Sequence, residues 1–176
     1  MEHKNGGIII ETERCILAKI KIDDFEDVKK IYVNDLVRRY LGGVIPEEHT
    51  RTKFIETLNR SQIESHFWVV RLKMNNQFIG LISLDKHVDG GIEVSYELLP
   101  TWWRAGYATE ILSQVIDFAF NDLEISRVLA ETQTANASSC RLLERIGMKL
   151  ERKVQRFGAE QAIYSIEKAD STVPRL

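Results

Sequence analysis

The spacing of apolar residues changes near Pro100, and this change limits the fold to a mixed α/β class. Before Pro100, runs rich in β-branched and aromatic residues alternate with turn residues, which is typical of a strand meander. These runs lie at 67–72, 78–84 and 92–99. After it, apolar residues recur at helical spacing: Tyr107, Ala108, Ile111, Leu112, Val115, Ile116, Ala119 and Phe120. The sequence therefore predicts a strand that leads through a tight turn into a helix beginning near Gly106.

The remaining segments complete the order β-α-α-β-β-β-α-β-α-β-β. They are an edge strand at 12–20, a helix after Asp23 and Asp24, helical segments at 36–40 and 47–58, a strand at 127–134, a short helix after Asn136, and a hairpin over 148–154 and 161–166. This order predicts about seven strands with helices beside them.

Length and composition indicate one domain over 1–176. With 176 residues, of which 44% are hydrophobic and 28% charged, the chain can bury a sizeable core. We place that core at about 8–167 and expect a flexible tail at 169–176. No apolar stretch approaches the roughly 18 residues of a membrane helix, and residues 1–7 lack the hydrophobic core of a signal peptide. We therefore expect a cytoplasmic protein without a membrane partner.

Charged and sulfur-containing residues argue against several other classes. Lysine and arginine are spread along a chain of net charge −2, which disfavours a nucleic-acid partner. Cys15 and Cys140 are too few for a disulfide framework, and His49, His66 and His87 match no metal-ligand spacing. We interpret both cysteines as buried small residues, with a reactive Cys140 thiol near a cofactor as the alternative.

The predicted helix start at Gly106 has the properties of an anion site. The first amide N–H groups of a helix lack intrahelical partners and, with the helix dipole, favour a negative charge. Gly106 carries no side chain where the backbone approaches an anion, and Ala108 keeps the next turn small. A pyrophosphate would fit there, although a glycine that only solves a packing problem gives the same pattern.

A second segment lies about thirty residues further on. Asn136 and Ser139 have side chains suited to capping a short helix, and Gly147 stands just past its expected end. Leu142, Leu143 and Ile146 form its predicted buried stripe. Taken singly, Asn136 and Ser139 are explained as ordinary helix caps.

Together and in this order, the segments 100–110 and 136–148 resemble the acetyl-CoA site of the Gcn5-related N-acetyltransferase (GNAT) superfamily. The runs 11–14 and 96–100 look like its ribosomal-protein-alanine acetyltransferase (RimJ/RimL-like) branch. The resemblance extends from about residue 8 to 167. It implies the acyl-CoA N-acyltransferase fold, which is a mixed, mostly antiparallel sheet with flanking helices, and acetyl-CoA as the acetyl donor.

The resemblance also implies how the donor binds. The strands at 92–99 and 127–134 begin adjacent and then splay, so that the pantetheine bonds like an added strand. The residues that match the family's cofactor positions are Leu98, Leu99, Arg104, Ala105, Gly106, Tyr107, Ala108, Thr109, Asn136 and Ser139. An N–H near Leu99 would meet the oxyanion. Trp103 and Arg104 depart from the usual pattern. Arg104 either adds charge beside the diphosphate or is a solvated arginine, while Trp102 and Trp103 line the acceptor mouth or anchor the loop.

We expect direct attack of an amine on the thioester in a ternary complex, because no acyl-carrying nucleophile with an adjacent base is evident. Glu93, Ser95 and Glu97 alternate onto one strand face, and Glu97 is the candidate base, with Glu93 second. A structural salt bridge is the other interpretation of Glu97. By the resemblance, Ser139 is the candidate acid, since Leu143 replaces the tyrosine of many relatives.

The acceptor is a primary amine, either the N-terminus of a protein or a small amine such as an antibiotic. Residues that select it would lie in 36–65 and in the final hairpin. A catalytically silent acyl-CoA sensor is the alternative from another class. The last hairpin offers an edge strand, which either pairs with a second copy of the chain as a homodimer or is covered.

Overall fold

The computed structural model describes residues 9–170. Its strands are β1 Ile9–Glu11, β2 Cys15–Lys19, β3 His66–Leu72, β4 Phe78–Lys86, β5 Ile92–Leu98, β6 Arg127–Gln133, β7 Lys149–Arg156 and β8 Ala159–Glu167. Its helices are α1 Phe25–Tyr32, α2 Asp35–Arg38, α3 Glu47–Ile63, α4 Tyr107–Asn121 and α5 Ala137–Arg145. The predicted tail begins as a short 3-10 turn at Lys168–Asp170, and its remainder and residues 1–8 lie outside the described range.

The strands form one sheet in the order β1-β2-β3-β4-β5-β6-β8-β7. All neighbours are antiparallel except β5 and β6, which are parallel, so the predicted mixed, mostly antiparallel sheet is confirmed. The segment 12–20 was wrong as an edge strand, because β2 pairs with both β1 and β3. The Thr12 hydroxyl accepts a hydrogen bond from the Cys15 N–H at 2.9 Å. This turn folds β1 back along β2, adds an eighth strand and makes β1 the edge.

Alternating side chains of the sheet build a core on each face. Trp68 and Val70 belong to the core shared with α4 and α5. Val69, between them, belongs to the core shared with α1 and α3, which also contains Phe54. A fully buried side chain of this size contributes about 1.5–3 kcal/mol. Within residues 9–170 no helix combines the length and apolarity needed to cross a membrane.

The sheet opens between β5 and β6, as predicted. The two strands pair at Ile92 with Val128 and at Glu93 with Leu129. Beyond this point β5 stays paired with β4 as far as Leu98, and β6 stays paired with β8. The second halves of β5 and β6 therefore border an opening, which we call the wedge.

Candidate active site

The end of α4 nearest the wedge starts from a turn with left-handed backbone. Its N-cap Gly106 has a φ of +82°, which glycine adopts without strain. Arg104 also has a positive φ, +60°, and its side chain is exposed. The amides of Tyr107, Ala108 and Thr109 open the helix and have no carbonyl one turn earlier to bind. This end of α4 can therefore accept an anion.

Two residues of the β1–β2 hairpin bind Glu110 in the first turns of α4, and we call Thr12, Arg14 and Glu110 the hairpin clamp. Glu110 Oε1 accepts a hydrogen bond from the Thr12 hydroxyl at 2.5 Å and from the Arg14 N–H at 2.8 Å. Glu110 Oε2 accepts from Arg14 Nε at 2.7 Å. Arg14 Nη1 also donates to the carbonyl of Ala105 at 3.0 Å. The guanidinium carbon of Arg14 lies 4.0 Å from the Tyr107 ring centroid.

The hairpin clamp places a neutralised charge pair beside the anion site. Burial acts to raise the pKa of Glu110, but hydrogen bonds from Thr12 and Arg14 outweigh it and hold that pKa below its usual value. The hydrogen bond to Glu110 in turn raises the pKa of Arg14. Both groups are charged at neutral pH, so Arg14 cancels a negative charge in the first turns of α4. This role was not predictable from the sequence, because no pattern relates residues 14 and 110.

The tryptophans before α4 anchor the loop. Trp103 Nε1 donates to the carbonyl oxygen of Leu98 at 2.7 Å. Trp102 packs edge-to-face on Tyr107, with ring centroids 5.8 Å apart. These contacts match the anchoring interpretation of Trp102 and Trp103. The bond from Trp103 occupies the Leu98 carbonyl. The N–H is therefore the Leu98 backbone group that remains to be considered in the wedge.

The hydrogen-bond alternation of β5 decides which amides face the wedge. The Leu99 N–H donates to the carbonyl of Ile79 at 2.9 Å, so Leu99 faces β4. In an antiparallel ladder the next residue turns its N–H and carbonyl to the opposite side. Tyr96 and Leu98 therefore face β6, past the point where the two strands have parted. Both Leu98 and Leu99 were expected to turn backbone groups into the wedge. The expectation is corrected for the Leu99 N–H, which is bound to Ile79, whereas the Leu98 N–H is directed toward the wedge.

Glu93 closes the base of the wedge. Its Oε1 accepts a hydrogen bond from the Glu131 N–H at 3.3 Å. This is the next β6 amide facing β5 after the last paired residue, Leu129. Burial is the largest cause of a raised pKa at Glu93, and the nearby Glu131 adds to it. The second candidate base is thus engaged in satisfying the backbone where the strands separate.

Glu97 combines a salt bridge with an unpaired oxygen. Its Oε1 lies 3.3 Å from Arg38 Nη1, and Arg38 also donates to the carbonyls of Leu41 and Gly43. Its Oε2 is buried and has no hydrogen-bond partner within residues 9–170, while the side chain as a whole is 22% exposed. Burial raises the pKa of Glu97, and Arg38 and Lys53 oppose the rise. A carboxylate with one oxygen held and the other unpaired can receive a proton from a donor brought to it.

The Ser139 hydroxyl contacts a tyrosine for which the sequence predicted no role. The Asn136 side-chain oxygen accepts from the Ser139 N–H at 3.3 Å, so Asn136 is a helix N-cap. The Ser139 hydroxyl lies 2.8 Å from the Tyr96 hydroxyl. Burial raises the pKa of Tyr96 to about 12. Strand alternation places Tyr96 on the opposite face from Glu97, which was readable from the sequence, but its pairing with Ser139 was not.

The two cysteines differ in burial. Cys15 is fully buried in β2, as predicted. Cys140 is partly buried, and its Sγ lies 4.0 Å from the carbonyl oxygen of Gln133.

Leu143 is 1% exposed and belongs to the core of α4 and α5. Within residues 9–170 no group of three or more histidine, cysteine and acidic side chains could hold a metal ion.

A partly buried ionic network lies on the α1–α3 face, beyond Glu93. His87 Nε2 and Glu131 Oε2 are 2.8 Å apart, and Arg156 Nε donates to Glu131 Oε1 at 2.8 Å. Arg156 Nη1 also reaches both oxygens of Asp89. This His87 network joins the β4–β5 turn to β6 and β7. It assigns a structural part to His87 and Asp89.

The predicted residues thus gather around β5. Glu97 lies on the α1–α3 side of the sheet. It pairs across the strands with Leu81, which belongs to the core shared with α1 and α3. Ser139 and Asn136 lie at the start of α5 on the other side. The turn at Gly106 follows the end of β5. The arrangement offers a proton acceptor, a hydroxyl pair and an anion site around one opening.

Comparisons with known proteins agree with this geometry. The Acetyltransferase (GNAT) domain family matches residues 14–149. An uncharacterized N-acetyltransferase, YoaA, of Bacillus subtilis (strain 168) is 31% identical over 156 residues, which cover 85% of this chain and 87% of the relative.

Solved structures show the same fold. An acetyltransferase of the GNAT family from Bacillus anthracis superposes with a TM-score of 0.80 at 24% identity, over 92% of this chain and 99% of its own. A spermidine N-acetyltransferase from Vibrio cholerae, in complex with CoA and spermine, has a TM-score of 0.75 at 16% identity, over 89% and 97% of the two chains. A ribosomal-protein-alanine acetyltransferase from Vibrio fischeri has a TM-score of 0.73 at 17% identity, over 94% and 100%. By fold and by sequence, the chain belongs to the GNAT family of acetyltransferases.

Proposed function

We propose that this GNAT acetyltransferase transfers the acetyl group of acetyl-CoA to a primary amine, with Glu97 as the proton acceptor. The observation that carries the proposal is the buried, unpaired Oε2 of Glu97 beside a wedge bordered by β5 and β6. Because burial raises its pKa, Glu97 is a stronger base than an exposed carboxylate. The Arg38 salt bridge keeps the other oxygen in place and leaves Oε2 available.

The residues around the wedge fit the acetyl donor. The backbone of Leu98 borders the opening, where an extended pantetheine can lie as an added strand would. The first amides of α4 at Tyr107, Ala108 and Thr109 suit the diphosphate. The exposed Arg104 stands beside this end of α4, and we include it and Ala105 in the diphosphate loop. Asn136 retains its amide NH₂ group as a donor toward the pantetheine, since its oxygen caps α5.

The reaction needs little beyond positioning. Holding both substrates together supplies up to about 7–11 kcal/mol of the barrier reduction. Glu97 takes the proton that the amine loses as the C–N bond forms. The Leu98 N–H is directed to meet the negative charge that develops on the carbonyl oxygen, and the Ser139 hydroxyl is placed to meet the sulfur as the C–S bond breaks. The sulfur gains its proton from solvent and Glu97 releases its proton to solvent, so the overall proton count balances.

For the acceptor, we propose the α-amine of a protein, as in the ribosomal-protein branch. A terminal α-amine has a pKa of about 8, against about 10.4 for lysine, so a larger share is neutral at pH 7 and one carboxylate suffices as base. The fold shared with the ribosomal-protein-alanine acetyltransferase supports this acceptor. A small polyamine is the second acceptor, supported by the likeness to the spermidine N-acetyltransferase.

Calorimetry with acetyl-CoA and a thiol-release assay test the proposal. The acceptor panel contains peptides with free N-termini, their N-blocked counterparts, and small amines. We expect Glu97→Gln to lower kcat at least 100-fold while acetyl-CoA affinity stays within about twofold. Glu124→Gln, at an exposed position between α4 and β6, is the control and should match the wild type. A wild-type protein that binds acetyl-CoA without turning over any acceptor would instead identify a sensor.

A further inference from the structure

We propose that Tyr96 is a positioning residue that directs the Ser139 hydroxyl toward the sulfur of the acyl donor. In this arrangement the Tyr96 phenol donates its proton to Ser139 Oγ, and the serine proton is left to point into the wedge. The inference rests on the proposed function and goes beyond it by assigning a residue that neither the family pattern nor the sequence selected.

The geometry brings the two hydroxyls together from different elements. Tyr96 lies on β5 and Ser139 in the first turn of α5, 43 residues apart in sequence, with their oxygens 2.8 Å apart. Tyr96 packs against the core shared with α4 and α5, so its ring has one orientation. Asn136 fixes the other side, since it binds the Ser139 N–H. The distance between the hydroxyls is therefore set by the fold.

Burial decides which hydroxyl donates. One hydrogen bond joins two groups that each carry one proton, so one proton remains for another acceptor. Within residues 9–170, Ser139 is the partner found for the Tyr96 hydroxyl. If Ser139 donated, the phenol proton would be left without a partner on a ring that packs against the core, which is costly. If Tyr96 donates, the remaining proton is on Ser139, which is partly exposed at the helix start. The raised pKa of Tyr96 agrees, since the phenol keeps its proton at neutral pH.

The arrangement compensates for Leu143. Family resemblance places a tyrosine on the short helix at that position, whereas here Leu143 is in the core. The phenol comes from β5 and acts through Ser139. No proton leaves Tyr96 during the reaction: its hydrogen bond polarises the serine hydroxyl, which then donates to the negative sulfur more strongly. The proton that ends on sulfur still comes from solvent.

A double-mutant cycle tests the coupling. We expect Tyr96→Phe and Ser139→Ala each to lower kcat about 10- to 100-fold, as for the loss of a hydrogen bond to a charged group. The KM for acetyl-CoA should change less than about threefold. In the Ser139→Ala background, Tyr96→Phe should change kcat by less than about twofold. Additive losses, or an unchanged kcat in Tyr96→Phe, would overturn the proposal. Tyr164→Phe is the matched control, because Tyr164 is a buried phenol bound to Glu144.

A binding measurement separates positioning from a structural role. A donor aimed at sulfur stabilises the thiolate, so the wild type should prefer CoA over desulfo-CoA increasingly as pH rises from about 6.5 to 9 through the thiol pKa. Tyr96→Phe and Ser139→Ala should both flatten this preference, while desulfo-CoA affinity stays unchanged. Equal pH dependence in wild type and Tyr96→Phe contradicts the inference. If the wild type does not bind acetyl-CoA at all, the proposed function is refuted, and the inference with it.

Discussion

At the scale of single residues, the proposed chemistry depends on the environment of one carboxylate. Glu97 is buried, which raises its pKa, and Arg38 moderates the rise. Arg38 is 15% exposed and belongs to α2. Its guanidinium also binds the carbonyls of the following loop. Arg38 therefore couples the pKa of Glu97 to the conformation of the loop that follows α2.

Replacing Arg38 by methionine should move the acid limb of the kcat/KM–pH profile to higher pH. Glu97 must be ionised to accept a proton, and Arg38 lowers its pKa, so removing that charge lets the pKa rise further. Activity that the wild type keeps in mildly acidic buffer should then be lost in Arg38→Met. Steady-state rates from pH 5 to 9 measure the shift. Arg39→Met, an exposed neighbour, should leave the limb in place. An identical limb in Arg38→Met would mean that another group titrates.

At the scale of secondary structure, the start of α4 depends on a hairpin far away in sequence. The hairpin clamp joins the turn between β1 and β2 to α4 across 96–98 residues. Glu110 alone would place a negative charge near the anion-binding end of the helix, where it is unfavourable to a bound diphosphate. Arg14 cancels that charge and also binds the Ala105 carbonyl in the preceding turn.

This charge arrangement predicts a specific pattern of binding affinities. We expect Arg14→Met to weaken acetyl-CoA binding about tenfold, equivalent to about 1.4 kcal/mol, because Glu110 then repels the diphosphate. The double variant Arg14→Met/Glu110→Gln should regain part of the loss, since the repulsive charge is gone. Calorimetry at low and high salt provides the measurement, and the gap between the variants should narrow as salt screens the repulsion. If the double variant binds no better than Arg14→Met, charge cancellation is not the role of Arg14.

The helices and strands differ in how well the sequence predicts their presence and their ends. The central strands and α4 were predictable because their apolar spacing is strong. Helix α3 runs to Ile63, past the predicted end at 58, because its buried stripe is largely polar: Thr50, Phe54, Thr57 and Ser61. Strand β1 has three residues, too few for a periodic signal.

The site divides in the same way. Family motifs predicted cofactor positions at the Gly106 turn, Asn136 and Ser139, and strand alternation predicted Glu97 as the base. The contacts of Glu97 with Arg38 and of Ser139 with Tyr96 join positions 59 and 43 residues apart. Such contacts depend on tertiary packing, which no local spacing encodes.

At the scale of the whole molecule, the wedge requires two halves of a sheet to be joined at one end and open at the other. Direct pairing of β5 with β6 covers Ile92–Glu93 and Val128–Leu129. The His87 network reinforces this region, because it connects the β4–β5 turn with β6 and β7. Its central pair is protected, since the side chains of Glu131 and Arg156 are 9% and 20% exposed. Ionic contacts beside the closed end of the wedge therefore stabilise it.

Replacing Arg156 by methionine should therefore destabilise the whole domain. We expect a loss of about 2–3 kcal/mol at pH 7, less than for a fully buried ion pair because Arg156 is partly exposed. Burial acts to raise the pKa of Glu131, but hydrogen bonds from Arg156 and His87 lower it overall. A carboxylate with a lowered folded-state pKa stabilises the fold above its unfolded pKa of about 4.3, and that stability is lost as pH falls through the folded value.

The difference in unfolding free energy between wild type and Arg156→Met should therefore shrink as pH falls from 7 to about 4 and below, where Glu131 takes up a proton. Urea unfolding followed by circular dichroism at each pH measures it. Arg152→Met is the matched control on the same strand. Arg152 is 45% exposed and pairs with Asp89 and Glu151, so its loss should cost less than about 1 kcal/mol. An Arg156→Met deficit that is independent of pH would show that Arg156 stabilises the sheet by packing and not through the charge of Glu131.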